Sequence, residues 1–334
     1  MGKRLLSVDI GNVNTKAVSS RAEIAFPSFV AMESGALDFD GLTDTNGDLV
    51  IEYEGSRLAL GHTAFKLGRM DVSQMGRYRV EGESYRQLFA GAMVSVLHRS
   101  TDLGVVASLP VRFYMNARDE VRKRLAGFYE ITFEGQTYRF KLDAEDLHLI
   151  PEGFGSICYM LLNKAGQVVS GDLLDKRVAV IDIGGRTTDG LFFDNLELIP
   201  NMCWGIDKAG MSSLWQVLDD YIQSAYGRTL SPLDLDKALY EGYFMHGPER
   251  VSLGSVIDDA ASTLAQRIVG KVNSEWDGGN EAELILITGG GAEHVGTWLP
   301  WKHAFSIDSA YGIKSHMANV VGAYRFGLMR GIGE

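Results

Sequence analysis

One motif occurs twice in this chain, half a chain apart. Ser7-Val8-Asp9-Ile10-Gly11-Asn12-Val13-Asn14-Thr15-Lys16 aligns without a gap on Val180-Ile181-Asp182-Ile183-Gly184-Gly185-Arg186-Thr187-Thr188-Asp189. The two aspartates lie 173 positions apart (182 − 9) in 334 residues. Each copy is an apolar run ending in Asp-x-Gly, then small polar residues, then a second β-prone run. That pattern is a β-hairpin with a tight turn. A single Asp-x-Gly reads as an ordinary hairpin with a turn aspartate. Two matched copies predict two lobes of common design, each contributing one hairpin.

The remaining segments fit that plan. Tyr85, Leu88, Phe89, Ala92, Val96 and Leu97 recur with helical spacing. Val105–Leu109 is a buried-type strand stopped by Pro110, and Asn116 is placed to cap a charged helix after it. Ile131–Leu142 alternates around Glu134-Gly135, a hairpin. Residues 34–57 read as surface loops and short strands, and 164–177 as the crossing into the second lobe. Met211–Ile222 and Ile257–Ile268 carry apolar stripes, and Ser231-Pro232 starts a further helix. Leu284–Thr288 is a buried strand that runs into Gly289-Gly290-Gly291, and a last helix covers about 317–329. Strands alternating with helices predict an α/β fold. The expected domains are 1–165, joined by the C-terminal helix at about 317–334, and 166–316.

The paired turns suit phosphate chemistry. A glycine turn lets backbone N–H groups approach an anion. Asn12, Asn14, Thr15, Thr187 and Thr188 add polar side chains, and Lys16 adds a point charge. Asp9 and Asp182 end their strands, where carboxylates can hold Mg²⁺ through its retained waters. Arg186 is bulky for such a turn and can reach either a phosphate or solvent. No G-x-x-x-x-G-K-[ST] sequence is present, so a P-loop is excluded.

Other classes of site find little support. The net charge of −11 disfavours a direct grip on nucleic acid. The basic positions between Arg118 and Arg124 are interleaved with Asp119 and Glu120, as on a solvated helix face. Cys158 and Cys203 lack metal-type spacing and read as reduced, buried residues of a cytoplasmic protein. The seven histidines, His62, His98 and His294 among them, show no ligand spacing. No apolar run reaches the length of a membrane span. Trp215, Trp298 and Trp301 read as packing or assembly surface.

The order of motifs resembles the actin, sugar-kinase and seventy-kilodalton chaperone superfamily over nearly the whole chain. The first hairpin (Asp9 to Lys16), Pro151-Glu152-Gly153, the second hairpin (Asp182 to Asp189), Thr288 to Ala292, and Ala318-Asn319-Val320-Val321-Gly322 follow the superfamily's succession. Three local segments are most similar to plasmid-segregating actins of the ParM (StbA) type and to small archaeal actins. They are Val106-Ala107-Ser108-Leu109-Pro110 before a charged helix, the 131–142 hairpin leading into Leu149-Ile150-Pro151-Glu152, and Phe26-Pro27-Ser28 after the first hairpin.

The resemblance implies two actin-like (ribonuclease H-like) domains flanking a nucleotide cleft that takes Mg-ATP or Mg-GTP. Asp9 and Asp182 would hold Mg²⁺ through water. Lys16, Gly11, Gly184 and Gly185 would bind phosphate, with Asn12, Asn14, Thr15, Arg186, Thr187 and Thr188 beside them. Glu152 would activate the attacking water, helped by Asp189. Gly289, Gly290 and Gly291 would line the adenosine pocket, with Gly210, and Gly205 near it, approaching the nucleotide. Asn12-Val13 departs from the smaller residues usual in the first turn.

The implied activity is an NTPase that polymerises with itself, segregating plasmid DNA through a DNA-binding adaptor or organising the cell. Two other classes compete. A small-molecule kinase would need a sugar-binding loop with an aspartate base, which the sequence lacks. A non-polymerising nucleotide switch would keep the hairpins and lose assembly. A chaperone's appended peptide-binding domain is not expected within this length.

Overall fold

A computed structural model describes residues 2–32, 49–66, 82–307 and 315–333. The chain divides into two compact units, Met1–Ser170 with Asn319–Glu334, and Gly171–Ala318. The loops expected at 34–57 lie outside the described residues as far as position 48, and two strands follow from Leu49.

The first unit is built on one mixed sheet. Its strands are β1 (Arg4–Ile10), β2 (Asn14–Val18), β3 (Glu23–Pro27), β4 (Val30–Met32), β5 (Leu49–Tyr53), β6 (Ser56–Leu60), β7 (Thr101–Leu109), β8 (Gly127–Phe133), β9 (Gln136–Leu142) and β10 (Leu147–Pro151). They run in the order β3-β2-β1-β7-β9-β8-β5-β6-β4, with β10 also on β7. The strands β1, β7 and β10 are parallel. Period-two alternation sorts their side chains. Leu6, Val8, Ile10, Val105, Ala107 and Leu109 join the core that takes in the helix Glu83–Leu97. Leu5, Val106 and Ile150 face the other way, onto Phe154, Ala323 and Phe326.

Those last residues belong to the helices Phe154–Leu161 and Ala318–Met329, which meet through glycine. A methyl group on Gly322 would land on the Gly155 carbonyl and 2.6 Å from the Tyr159 amide nitrogen. Backbone cannot yield as a side-chain tip does. We therefore expect Gly322→Ala to cost about 3 kcal/mol, the upper end for overpacking, read as a lowered melting temperature. A nearly unchanged melting point would show that the crossing can open without penalty.

The second unit repeats the design. Its strands are β11 (Arg177–Ile183), β12 (Thr188–Asp194), β13 (Glu197–Leu198), β14 (Trp204–Ile206), β15 (Tyr243–His246), β16 (Glu249–Ser252), β17 (Leu284–Thr288) and β18 (Ala304–Ser306). The main sheet runs β13-β12-β11-β17-β18, with β14 on β12, and β15 and β16 form a separate two-stranded sheet among the described residues. Ala179, Ile181, Ile183, Ile285 and Ile287 form one core with Leu214, Leu218, Leu264 and Ile268 of the helices Met211–Tyr226 and Gly254–Glu275. Trp276 is fully buried there, and its indole donates to the Met202 carbonyl at 2.7 Å.

Two local expectations need correction. Asn116 does not cap the charged helix Arg118–Leu125, whose N-cap is Ala117. Pro110 already starts a helical segment, Val111–Asn116, and the Asn116 amide donates back to the Arg112 carbonyl at 3.0 Å. Of the two free cysteines only Cys158 is buried, its thiol pushed up to about 12 by burial. Cys203 is half-buried. By contrast, Ser231 caps Pro232–Glu241 as its sequence indicates, accepting from the Asp234 amide.

Candidate functional site

Both copies of the repeat fold in the same frame. In the first hairpin Asp9 stands opposite Lys16 and Ile10 opposite Thr15. In the second, Asp182 stands opposite Asp189 and Ile183 opposite Thr188. Each aspartate also has a hydroxyl residue beside it on the neighbouring parallel strand, Ser108 next to Asp9 and Thr288 next to Asp182. The sequence places Ser108 and Thr288 in motifs but does not pair them with the aspartates, because they end unrelated runs 180 residues apart (288 − 108). Ser108 is buried, and its Oγ has no hydrogen-bond partner among the described residues.

The turns are closed by the same backbone bond, Gly11 N–H to the Asn14 carbonyl and Gly184 N–H to the Thr187 carbonyl, both 2.9 Å. Ser28 braces the first turn, donating to the Gly11 carbonyl at 2.8 Å and sharing a 2.9 Å hydrogen bond with the buried Thr15 hydroxyl. Thr188 plays the bracing part in the second, fully buried and donating to the Ala209 carbonyl. The hydroxyls of Thr15 and Thr188 thus face inward and hold the turns. Asn12, Asn14 and Thr187 remain partly exposed, and Thr187 donates to Asp189 at 2.8 Å.

Charge distinguishes the two copies. Lys16 Nζ lies 3.0 Å from Asp9 Oδ2, with both side chains largely covered. The equivalent position in the second hairpin is Asp189, so two carboxylates, Asp182 and Asp189, share one cross-strand pair. Directly opposed like charges repel. This donor set fits a hard divalent cation. No group of three or more His, Cys, Asp or Glu suited to a metal occurs among the described residues. A cation here would fill its shell with water and ligand oxygens, as Mg²⁺ does. Arg186 points to solvent and pairs with Asp207 at 3.2 Å, holding that exposed carboxyl below its usual range.

The glycines of the second unit gather around this hairpin. Gly289 has φ +89°, and a Cβ there would meet the Asp182 carboxylate and the Ile183 carbonyl. Only glycine accepts both that dihedral and that approach. A Cβ on Gly291 would strike the Ile183 side chain, and one on Gly205 would sit 2.9 Å from Asp189 Oδ1. Gly210 is pressed against the Gly184 carbonyl and the Arg186 backbone. Gly185 accepts from the Ser212 amide at 2.8 Å. Gly290 is looser, 3.9 Å from His316 Cβ. Asp182, Asp189 and Gly184–Gly185 are thereby brought together with Gly205, Gly210 and Gly289–Gly291.

In the first unit Glu152 follows directly on β10, at the carboxyl end of the parallel strands where Asp9 also stands. Its amide donates to the Leu109 carbonyl at 2.7 Å. The next residue, Gly153, has φ +89° and donates to Asn319 Oδ1 at 3.1 Å. The backbone is therefore fixed on both sides of a half-buried Glu152. Gly153, not Glu152, is the N-cap of Phe154–Leu161, and no side chain makes a cap bond there.

Two families match consecutive parts of the chain. Residues 7–155 match the N-terminal domain of actin-like proteins, and residues 180–300 match the C-terminal domain of archaeal MreB-like actin homologues. The chain belongs to the actin-like proteins. The actin-like fold also appears in solved structures that align over nearly their full length. A 15-stranded ParM filament from Clostridium botulinum shares 21% identity, with a TM-score of 0.76 over 98% of this chain and 99% of that one. An archaeal actin homologue in complex with ADP shares 19%, with a TM-score of 0.75 and the same coverage. ParM from Bacillus thuringiensis with AMPPNP shares 14%, with a TM-score of 0.71 and again that coverage. No curated protein matches the chain. Among the described residues of this actin-like protein, no helix is long and apolar enough to cross a membrane.

Proposed function

We propose that this actin-like chain is an NTPase that binds Mg-ATP or Mg-GTP and assembles with itself into filaments. The observation that carries the reading is the duplicated hairpin, folded in one register twice, with Lys16 in one copy replaced by Asp189 in the other. One hairpin offers a cation to phosphate and the other offers carboxylates to a metal. Asp182 and Asp189 would hold Mg²⁺, which when bound offsets phosphate charge. Lys16 and the turn amides of Gly11, Gly184 and Gly185 would bind phosphate oxygens. Glu152 would orient the attacking water and take its proton.

Assembly is supported by the filament form of the Clostridium botulinum ParM and by an Alp12 filament that shares the fold at 18% identity with a TM-score of 0.68. A head-to-tail contact between identical subunits does not close and grows a filament. Segregation of DNA through a basic adaptor is consistent with the net charge of −11, and we place the protein in the cytoplasm. Pelleting and negative-stain microscopy test the proposal. With Mg²⁺ and a triphosphate, filaments should appear above a critical concentration and shrink as diphosphate accumulates. Triphosphate binding without any assembly up to tens of micromolar (roughly the range of weak transient interfaces) would make the protein a nucleotide switch instead.

A further inference from the structure

The sheet of the first unit has two ends. Asp9 and Glu152 stand at the carboxyl end of the parallel strands. At the amino end a hollow of about 280 Å³, open to solvent, is lined on its polar side by Arg4, Ser19, Ser20, Arg21, Arg99 and Thr101. It narrows to room for one water-sized atom. Five strand steps (9 − 4), about 17 Å, separate Arg4 from Asp9 along β1.

Three separate segments deliver the three arginines. Arg4 opens β1, in register with Leu103 of β7. After β2 the chain turns at 19–22, closed by the Ser19 amide on the Ala22 carbonyl at 2.9 Å. The buried Ser19 hydroxyl locks this turn, accepting from the Arg21 amide at 3.1 Å and donating to the Val96 carbonyl at 2.8 Å. Val96 lies in the last turn of the helix Glu83–Leu97, so the turn and the helix end are tied together. His98 then takes a left-handed conformation, φ 42°, and the chain reverses through Arg99 to Thr101.

The hydroxyls of Ser19 and Thr101 already donate to backbone carbonyls. Guanidinium groups are left to meet a ligand, with two hydroxyls beside them. Burial raises the Tyr324 phenol, opposed by the Ser20 hydroxyl and the Arg4 charge, so the phenol keeps its proton. The chain holds 43 acidic residues against 32 basic ones, so a carboxylate is the expected neighbour of any arginine. Arg4 and Arg21 nevertheless make no ion pair among the described residues, although Glu23 and Asp102 are near in sequence.

We infer that this hollow binds a phosphoryl group, at a site separate from the proposed nucleotide site and independent of that reading. The planar fork of arginine matches phosphate oxygens two at a time. Donors arrive here from three segments. A phosphoryl group turns three terminal oxygens to them, whereas a carboxylate offers two in one plane. The narrow floor takes one oxygen and leaves the rest of the molecule at the open mouth, so inorganic phosphate, a soluble phosphomonoester or a lipid phosphomonoester shares the chemistry.

The test titrates inorganic phosphate into the full chain by calorimetry, without Mg²⁺ and at about 0.15 M salt, where distant exposed charges are screened. Melting temperatures are measured with and without phosphate. Arg4→Gln and Arg21→Gln should each weaken binding about 10-fold and shrink the rise in melting temperature that the ligand gives. Arg21 is exposed, so its variant should melt like the unaltered protein when phosphate is absent. Lys16→Gln, which strikes the proposed nucleotide site, should leave this binding in place. Flotation with vesicles of phosphatidic acid, against phosphatidylcholine alone, assigns the source: arginine-dependent flotation puts the phosphoryl group on a lipid, and its absence leaves a soluble one. Phosphate binding that survives both arginine variants and falls with Lys16→Gln would overturn the inference. So would equal binding of acetate, or no binding of phosphate at millimolar concentration.

Discussion

Replacing Glu152 by glutamine or alanine is expected to slow phosphate release by about 10²–10⁴-fold and to leave triphosphate affinity almost unchanged. The reason lies in the division of labour between residues. Phosphate and metal contacts are assigned to the hairpins, so Glu152 acts only once a water must be aligned and deprotonated. The fold prepares the residue for that. Its backbone is tied to Leu109 on one side and, through Gly153, to Asn319 on the other. Filaments of the variant should still form with triphosphate and should persist, because disassembly is linked to hydrolysis. The competing role is a local one, an acid favouring the start of Phe154–Leu161, worth about 0.3–1 kcal/mol. That role predicts a lower melting temperature with normal turnover. Phosphate release, nucleotide affinity and melting temperature measured on one variant separate the two.

Much of the fold was legible because the repeat fixes it. Two hairpins with a common Asp-x-Gly predict two related sheets, and both appear with identical registers around the aspartates. Buried parallel strands such as Val105–Leu109 and Leu284–Thr288 were legible because apolar runs bounded by Pro or Gly have few other fates. The small hairpin Tyr243–Ser252 went unread, since Gly247-Pro248 is its only marked turn signal and its strands are four residues each. In the candidate site the glycine triplet Gly289–Gly291 stands out in the sequence as a turn after a buried strand, while the approach of Gly289 to Asp182 appears only in the fold. They were not legible where the role belongs to pairing. Nothing local in the sequence says that Ser108 lies beside Asp9, or that the hydroxyls of Thr15 and Thr188 turn inward to brace the loops. The direction of Arg186 was open for the same reason, since Asp207 is a partner only once β14 has folded back onto β12.

The second large effect is expected at the carboxylate pair. Asp182→Asn and Asp189→Asn should each weaken Mg²⁺-dependent triphosphate binding by about 10–100-fold, the range for groups that hold a metal through its outer shell. The sign of the stability change identifies the cause. Asp182 and Asp189 face each other across β11 and β12, so neutralising one relieves a like-charge pair worth about 0.2–1 kcal/mol. Without nucleotide the variants should therefore melt at or slightly above the unaltered protein. With saturating Mg-triphosphate the order should reverse, because a ligand stabilises in proportion to the logarithm of its concentration over Kd. A purely structural Asp189, kept to accept the Thr187 hydroxyl at 2.8 Å, predicts a loss of stability in both conditions. Asp189→Lys carries the argument further, for it writes the first hairpin's Asp–Lys pair into the second. That variant should fold, melt no lower than the unaltered protein, and lose its response to Mg²⁺. A retained Mg²⁺ response in Asp189→Lys would mean that the cation is held elsewhere, and the assignment of the metal to the second hairpin would fall.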